Sequence, residues 1–332
     1  MWTSETLEWI DIELTSFCNI KCKGCFRVLS NEADKILNKT YLDVNVIKEK
    51  FKREMFPNMK IINFCGSVDE PTTHPDFFEI IEHFASWDCH INIATNGSLR
   101  TTQWWTKLAT LLPPSHKVTW GIDGSDELSE QYREGSNFKK VRDNWRAFIG
   151  AGGRANWQFI VFEHNEHQVE KCKELSDTLG FKGFSVKHTT RFKDGKLDVI
   201  DDSYNVTHTL LPSQKSLEMI TPAKEAAEEF LPRINCKAKQ DNQIYVGANG
   251  NVSPCCWLDL DWVPQMSMSK IDYMMKVKNI PNLHDTSFEE IFDSGHFNKI
   301  SSCWDKDGLK ECSKQCGTFD KLNAQYEKKA YV

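Results

Sequence analysis

The sequence predicts an α/β fold in which a partial (βα)6 TIM-like barrel is followed by a small cysteine-rich domain, and three observations support this. Short apolar runs alternate with amphipathic stretches over roughly the first 190 residues, as in repeated βα units around a parallel sheet. Turns rich in Gly, Asn and Asp follow several of the apolar runs. Six of the 12 cysteines fall in the last third of the chain, where the segments are short.

Six strands and five intervening helices are predicted from the spacing of the apolar residues. The predicted strands are Leu7–Leu14, Lys60–Cys65, His90–Thr95, Lys117–Ile122, Ala155–Phe162 and Gly183–His188. The predicted helices are Leu42–Met55, Pro75–Trp87, Thr101–Leu112, Phe138–Ile149 and Glu166–Leu179. Because reactive groups of such barrels lie at the carboxyl ends of the strands, we expect the site in the turns that follow them.

Domain boundaries follow from the point at which the βα pattern ends. We predict the barrel over residues 1–190, a bridge over 191–228, a cysteine-rich domain over 229–320 and a tail over 321–332. The bridge is polar and without clear periodicity. The cysteine-rich segment has little core of its own, so a bound metal is expected to add to its folding free energy.

The composition is that of a soluble globular chain and argues against other classes. Hydrophobic residues make up 40% and charged residues 27%, which is not the composition of a disordered or fibrous protein. A net charge of -6 without a long Lys/Arg block gives no strong nucleic-acid signal and none for a membrane surface. Residues 1–15 lack the basic-then-apolar order of a signal peptide, and no run approaches the roughly 18 apolar residues of a membrane span. A cytoplasmic location is predicted.

The clustered cysteines indicate metal binding, because disulfides rarely persist in a reducing compartment. Cys18, Cys22 and Cys25 form a CxxxCxxC group directly after the first predicted strand. Three thiolates leave one iron of a [4Fe-4S] cluster without a protein ligand, and an open position is typical of a catalytic metal site. The alternatives are a zinc site, although no fourth Cys or His lies nearby, and a reduced surface loop. Three isolated cysteines are expected to be ordinary buried thiols: Cys65, Cys89 and Cys172.

The CxxxCxxC group at the end of a first barrel strand resembles the radical S-adenosylmethionine (SAM) superfamily, and three later turns agree in order. These are GSVDEP at 66–71, ATNG at 94–97, and GIDG at 121–124 with Arg133 downstream. The resemblance implies that the three cysteines hold a [4Fe-4S] cluster whose open iron binds SAM. It also implies SAM contacts at Phe26, Gly66, Glu70, Asn96, Asp123 and Arg133.

Three positions depart from the pattern of that family. Gly24 precedes the third cysteine, where the family usually has an aromatic residue that packs on adenine, so Phe26 is expected to take that role. Asp69 replaces a usual Gly, and Gly121 replaces a usual Ser. These departures concern individual SAM contacts and leave the cluster ligands unchanged.

The C-terminal cysteines resemble the SPASM extension of radical SAM maturases. At similar intervals lie Cys236, Gly250, Cys255, Cys303, Cys312 and Cys316. The second cysteine of the family's array is replaced by Lys306, and no cysteine follows Cys316. The resemblance therefore implies the shortened "twitch" form, an iron-sulfur domain with one auxiliary cluster.

The implied ligands of this auxiliary [4Fe-4S] cluster are Cys236, Cys255, Cys312 and Cys316. Cys303 or Cys256 is the substitute if Cys312 is not a ligand. A structural zinc site is the alternative to iron, because four thiolates suit both metals.

The resemblance also implies a reaction. The first cluster, reduced by an external one-electron donor of the flavodoxin or ferredoxin type, cleaves SAM to methionine and a 5'-deoxyadenosyl radical, which removes hydrogen from a substrate. The auxiliary cluster then accepts an electron, so that the net change is an oxidation or a maturation of a peptide or small molecule. The substrate is not identified by the sequence. The alternative from another class is a non-catalytic, zinc-stabilised binding module.

Candidate catalytic residues lie at the end of the sixth predicted strand. His188 and Arg191 are expected to face the active site, where they would orient a polar or anionic substrate, with His188 as a proton acceptor. The competing interpretation is the start of a solvated loop.

Overall fold

The computed structural model describes residues 2–25, 27, 39–192, 194–200, 205–225, 234–259, 280–302, 304, 309, 312, 316–317 and 326–329. Phe26, Cys303 and Lys306 lie outside these residues.

Strands organise the described chain into one large sheet and one hairpin. They are β1 (Trp9–Ile12), β2 (Ile61–Phe64), β3 (His90–Thr95), β4 (Lys117–Gly121), β5 (Ala155–Val161), β6 (Gly183–His188), β7 (Leu197–Ile200), β8 (Val206–Leu210), β9 (Gln243–Val246), β10 (Val252–Ser253) and β11 (Tyr326–Lys329). The nine-stranded sheet has the order β10-β9-β1-β2-β3-β4-β5-β6-β11, and β7 pairs with β8. From β1 to β6 each strand is parallel to the next. This run is the partial barrel that the sequence predicts.

Helices cover the outer face of the parallel run. The α-helices are α1 (Val44–Lys50), α2 (Phe77–Ala85), α3 (Thr102–Leu111), α4 (Ser129–Tyr132), α5 (Phe138–Gly150), α6 (Val169–Thr178), α7 (Gln214–Glu225), α8 (Lys237–Gln240), α9 (Phe288–Asp293) and α10 (His296–Ser302). Short 3-10 helices span Ser4–Thr6, Arg53–Met55, Pro71–Thr73, Glu166–Gln168 and Cys256–Leu258. Within the described part of the chain, none of the helices combines the length and apolar character that crossing a bilayer requires.

The predicted strands and helices of the barrel are all present, with small shifts at their ends. Two strands, His90–Thr95 and Gly183–His188, have the predicted bounds. The first predicted helix divides into α1 and a 3-10 turn, because Phe51 leaves the helical conformation. The alternation of apolar and polar residues along each strand, with helices between them, was sufficient for this part of the fold.

The bridge has more structure than its polar sequence suggests. It contains the hairpin of β7 and β8 and the helix α7. Leu197, Val199 and Leu210 of the hairpin are buried against Tyr132 and Phe162 of the barrel. The alternation that marks this hairpin is short and is interrupted by charged residues, so the sequence did not predict it.

The cysteine-rich segment shares the sheet of the barrel. β9 pairs in parallel with β1, from Trp9 opposite Gln243 to Ile12 opposite Val246, and β10 pairs antiparallel with β9. Phe288 of α9 packs in the same apolar core as the barrel helices. The two regions are therefore joined by backbone hydrogen bonds as well as by side-chain packing.

The alternation of side chains along the strands decides which residues face the barrel interior. On β5, Trp157 and Phe159 pack into the outer core, whereas Gln158 and Ile160 line an internal cavity. Successive residues of a strand point to opposite faces. The inner face therefore carries polar groups that are available for binding.

Candidate active site

A cavity of about 470 Å³ lies at the carboxyl ends of β1 to β6. It is formed by the loop after β1, by the turns after β2, β3 and β4, and by inward side chains of β5 and β6. Cys256 and Trp257 of the C-terminal segment complete its wall. The cavity is where a barrel of this kind carries its reactive groups.

The first cysteine group comes together in this cavity. Cys18, Cys22 and Cys25 all line it, and the backbone N–H of Cys25 donates to the carbonyl of Cys22 at 2.9 Å, which closes a tight turn. Burial raises the pKa of Cys18 to about 12 and raises the pKa of the other two thiols as well. A bound metal offsets this cost, because its positive charge favours the thiolate.

Three thiols that line one cavity can serve as ligands of one cluster. In a cubane cluster each thiolate binds a different iron, so the sulfurs stand apart around the cube. The amide Nδ2 of Asn96 lies 3.8 Å from Sγ of Cys18 and donates toward it. A hydrogen bond of this kind favours the thiolate form of a cysteine.

Glu70 fixes the turns after β2 and β3 to each other. Its Oε1 accepts from the hydroxyls of Thr72 and Thr95, both at 2.7 Å, and its Oε2 accepts from the backbone N–H of Asn96 at 2.6 Å. Burial raises the pKa of Glu70 although these hydrogen bonds oppose the shift. Gly66, at the start of the same turn, has a φ of 58°, which favours glycine. Gly66, Glu70 and Asn96 all line the cavity.

The guanidinium of Arg133 lines the cavity, where Asp123 holds it and Gly121 leaves space for it. Its Nε lies 2.8 Å from Oδ2 of Asp123, which is fully buried and holds the guanidinium charged. Asp123 supports Arg133 without lining the cavity itself. A Cβ at Gly121 would come within 2.5 Å of Nη2 of Arg133. The replacement of Ser by Gly at this position therefore makes room for the guanidinium.

Tyr132 fills the space beside Gly24. A Cβ at Gly24 would lie 3.2 Å from the Tyr132 ring, and Tyr132 lines the cavity. The aromatic neighbour of the cysteine loop within the described residues is thus Tyr132, a residue that the sequence did not single out. Phe26, to which the sequence assigned this role, is outside the described residues.

His188 and Arg191 have different surroundings. Arg191 lines the cavity and donates from Nη1 to the carbonyl of Gly24 at 3.2 Å. His188 is not among the cavity residues; it is buried on the helix side of β6, where its Nδ1 lies 3.5 Å from Oγ of Ser213. Lys187, one residue earlier, lines the cavity instead. The alternation along β6 explains the difference, and a count of strand positions would have indicated Lys187.

The second cysteine group forms a separate apolar pocket. Cys236, Cys255, Cys312 and Cys316 line it, together with Trp257 and other apolar side chains. The thiols of Cys236 and Cys316 hydrogen-bond each other, which with burial raises the pKa of Cys236. Four thiols around one apolar pocket are a suitable ligand set for a [4Fe-4S] cluster. Cys256 is not in this pocket, and Cys303 is not described.

Two neighbouring cysteines therefore face two different sites. The backbone at Cys255 is extended, with φ of -157° and ψ of 164°, so that Cys255 lines the apolar pocket and Cys256 lines the cavity. Trp257 borders both. Cys65, expected to be an ordinary buried thiol, also lines the cavity, whereas Cys89 and Cys172 lie in the core as expected. The adjacent cysteines were a signal in the sequence that two sites meet here.

Comparison with known proteins places this geometry in a family. Residues 12–175 match the radical SAM superfamily, and residues 236–317 match an iron-sulfur cluster-binding domain, SPASM. A Pyrococcus furiosus protein described as a tungsten-containing aldehyde ferredoxin oxidoreductase cofactor-modifying protein is 30% identical over 273 residues, which is 75% of this chain and 71% of the relative. The Bacillus subtilis antilisterial bacteriocin subtilosin biosynthesis protein AlbA is 22% identical over 301 residues, which is 87% of this chain and 60% of AlbA.

The fold is also similar to that of a solved structure. The crystal structure of Streptococcus suis SuiB bound to S-adenosylmethionine matches with a TM-score of 0.60 and 13% identity, over 92% of this chain and 72% of SuiB. Its likeness to this chain is one of fold. Taken with the relative from Pyrococcus furiosus, the matched segments and the two thiol-lined sites show that this chain belongs to the radical SAM superfamily, as a maturase-type enzyme with a C-terminal SPASM iron-sulfur domain.

Proposed function

We propose that the protein cleaves SAM reductively in the cavity, removes hydrogen from a bound substrate and passes the substrate's electron to one auxiliary cluster. The observation that carries this proposal is that the segment 255–257 borders both the cavity and the pocket of the second cysteine group. Cys255 belongs to the pocket of the second cysteine group, Cys256 belongs to the cavity, and Trp257 borders both. Residues 255–257 thus border both sites, which supports electron transfer between them.

In the proposed site, Cys18, Cys22 and Cys25 hold the first [4Fe-4S] cluster. When bound there, the cluster and SAM supply the radical chemistry typical of the family. The chain's own groups bind and orient SAM: Gly66 and Asn96 from the turns, Glu70 through the turns that it fixes, and Arg133 through the guanidinium that Asp123 holds in place. Tyr132 takes the aromatic position beside Gly24.

A single auxiliary cluster, the twitch arrangement, is the proposed form of the C-terminal domain. Its ligands are Cys236, Cys255, Cys312 and Cys316, which share one pocket. Cys312 is preferred to Cys256 because Cys256 lines the cavity instead. The same pocket supports the proposed boundary of this domain, which extends from about residue 229 to 320.

The proposed substrate is a peptide or small molecule that carries an anionic or polar group. Lys187 and Arg191 bring two cationic side chains to the cavity, and Thr119 and Gln158 add neutral polar groups. The names of the relatives, one a cofactor-modifying protein and one a bacteriocin biosynthesis protein, agree with either class. We propose a cytoplasmic location and an external one-electron reductant of the flavodoxin or ferredoxin type.

The test is anaerobic purification followed by quantification of iron, sulfide and zinc. About eight irons per chain are expected from two [4Fe-4S] clusters. Changing Cys18, Cys22 and Cys25 together to Ala should remove about half of the iron, since one of two cubes is lost, and all formation of 5'-deoxyadenosine. A triple variant that still produces 5'-deoxyadenosine would contradict the catalytic assignment. A colourless protein that contains zinc would favour the binding module instead.

A further inference from the structure

Cys65 lies in the active-site cavity but belongs to neither cysteine group. It follows β2 directly and lines the cavity together with the three cysteines of the first group. The carboxyl end of a barrel strand is where such folds carry reactive groups. Its thiol therefore faces the same space in which the proposed reaction takes place.

A carboxyl group holds the thiol of Cys65 in position. Its Sγ is 3.2 Å from Oε1 of Glu13, and the same oxygen accepts the backbone N–H of Ser67 at 2.6 Å. The Ser67 hydroxyl is 3.7 Å from the sulfur. Burial, reinforced by the neighbouring Glu13, raises the pKa of Cys65 well above its usual value. The sulfur therefore keeps its hydrogen.

Two buried carboxyl groups stand behind this thiol. Glu13 is 1% exposed and Asp69 is 7% exposed. The two carboxyls hydrogen-bond each other, and burial together with Glu13 raises the pKa of Asp69. Among the described groups, no donor reaches Oε2 of Glu13 or Oδ1 of Asp69. Because two ionised carboxylates only accept, a bond between them requires one proton. The pair therefore stores a proton next to the thiol.

Cys256 also lines the cavity without belonging to either proposed set of cluster ligands, but its hydrogen-bond partner differs from that of Cys65. It hydrogen-bonds Ser67 and follows Cys255, a proposed ligand of the auxiliary cluster. Cys65 differs because its thiol, which lines the cavity, contacts the carboxyl of Glu13. That carboxyl belongs to the pair that holds the extra proton.

We propose that Cys65 is a thiol that gives a hydrogen atom to the 5'-deoxyadenosyl radical when no substrate fills the cavity, and that the pair of Glu13 and Asp69 returns the proton. The inference rests on the proposed function, which is the source of the radical. The S–H bond breaks, a C–H bond forms, and a sulfur-centred radical remains. One electron from the external one-electron reductant and one proton from the carboxyl pair then restore the thiol. The exchange is favourable because a thiol S–H bond is weaker than an alkyl C–H bond.

The test is reductive SAM cleavage in D2O without substrate, followed by mass spectrometry of the 5'-deoxyadenosine. A thiol hydrogen exchanges with the solvent, so the wild-type product is expected to gain one deuterium. Cys65→Ser keeps the size and the hydrogen bond to Glu13, but its O–H bond is too strong to donate the atom, and the label should be lost. Cys172→Ser, in the core, is the matched control and should keep the label. Iron content shows that each variant is loaded.

The Glu13→Gln variant separates the thiol from its proton store. Its first turnover should still give labelled product, while later turnovers should slow, because the thiol is restored less readily. An unchanged rate over many turnovers would overturn the role of the carboxyl pair.

The outcomes also separate this inference from the proposed function. If the wild type forms no 5'-deoxyadenosine, the proposed function fails. If it forms unlabelled product, or if Cys65→Ser keeps the label, the role of Cys65 is overturned and the proposed function stands. Loss of the label in Cys256→Ser but not in Cys65→Ser would mean that the other thiol is the donor.

A second measurement does not depend on turnover. SAM is added to the cluster-loaded protein without reductant, and the infrared difference spectrum is recorded in the region of the S–H stretch. A shifted S–H band that is absent from Cys65→Ser is expected, because SAM enters the cavity that this thiol faces. A wild-type spectrum without an S–H change would contradict the assignment.

Discussion

Nε of Arg133 lies 2.8 Å from Oδ2 of Asp123, in an ion pair whose side chains are 10% and 0% exposed. Breaking such a pair from one side leaves an uncompensated buried charge, which typically costs about 3–5 kcal/mol. We therefore expect Asp123→Ala to lower the free energy of unfolding by about that amount. Urea denaturation of the cluster-loaded protein measures the change.

The double variant Asp123→Ala/Arg133→Met is the control for this prediction. It removes both charges, so it should lose less free energy of unfolding than Asp123→Ala does. It should also bind SAM more weakly than the wild type, with the iron content unchanged, because the guanidinium faces the cavity. Equal losses in the single and double variants would show that the unpaired charge of Arg133 is not what destabilises Asp123→Ala.

Gly121→Ala tests whether the guanidinium of Arg133 needs the space beside Gly121 in order to bind SAM. The added Cβ would lie 2.5 Å from Nη2 and 2.7 Å from Cζ of Arg133, so the guanidinium must move. SAM affinity should fall while iron content stays intact. Gly150→Ala, where no atom lies within 4 Å of the new Cβ, is the matched control and should bind SAM like the wild type. Equal SAM affinity in the two variants, measured by equilibrium dialysis, would show that Arg133 does not contact SAM.

The two adjacent cysteines allow a comparison at one position in the fold. Cys255→Ser should lose one cluster, or about four irons per chain, and should destabilise the segment around α8 and β9, because cluster binding adds to folding. Cys256→Ser should keep its iron, since its side chain faces the cavity. Iron analysis together with hydrogen exchange of residues 236–259 checks both. Iron loss in Cys256→Ser alone would reverse the assignment.

Asp11 gives the stability of the protein a defined pH dependence. Burial raises its pKa to about 6, and its Oδ1 accepts from Nε1 of Trp9 and Nδ2 of Asn63, both at 2.7 Å. Because the folded pKa lies above the unfolded value of 3.8, the folded state holds the proton more tightly. This contribution to stability is fully present below about pH 4 and is lost as the pH rises through about 6.

The Asp11→Asn variant lacks this titration. Between about pH 4 and pH 7, its free energy of unfolding should therefore rise relative to that of the wild type, by up to about 3 kcal/mol. Urea denaturation at several pH values measures the difference. Parallel curves for the two proteins would show that Asp11 is ionised at the same pH in both states.

The barrel and the first cysteine group were predictable because their signals are local. A strand such as His90–Thr95 is marked by its own alternation and by the turn that follows it. Cys18, Cys22 and Cys25 lie within one loop, so their meeting needs no knowledge of the rest of the chain. The order of the later turns along the sequence is also their order along the sheet, which is why Gly66, Asn96 and Arg133 share a cavity.

Other parts of the site depend on contacts between distant segments. No local pattern tells that Cys256 lies against the turn after β2, because that contact follows from the pairing of β9 with β1. Nor does the sequence alone reveal that Glu13 holds the thiol of Cys65, a contact across two strands. Strand alternation, a signal that the sequence does contain, puts Lys187 rather than His188 on the cavity side of β6.

The pairing of β9 with β1 also has a consequence for biosynthesis. β1 ends at Ile12, and its partner on one side begins at Gln243, so a ribosome must add more than two hundred residues before that side is covered. Until then β1 is a bare edge, and such edges pair readily with other chains. Domains made at about 5–20 residues per second leave this edge open for tens of seconds. During most of its synthesis the nascent chain therefore exposes a strand edge that the finished fold covers.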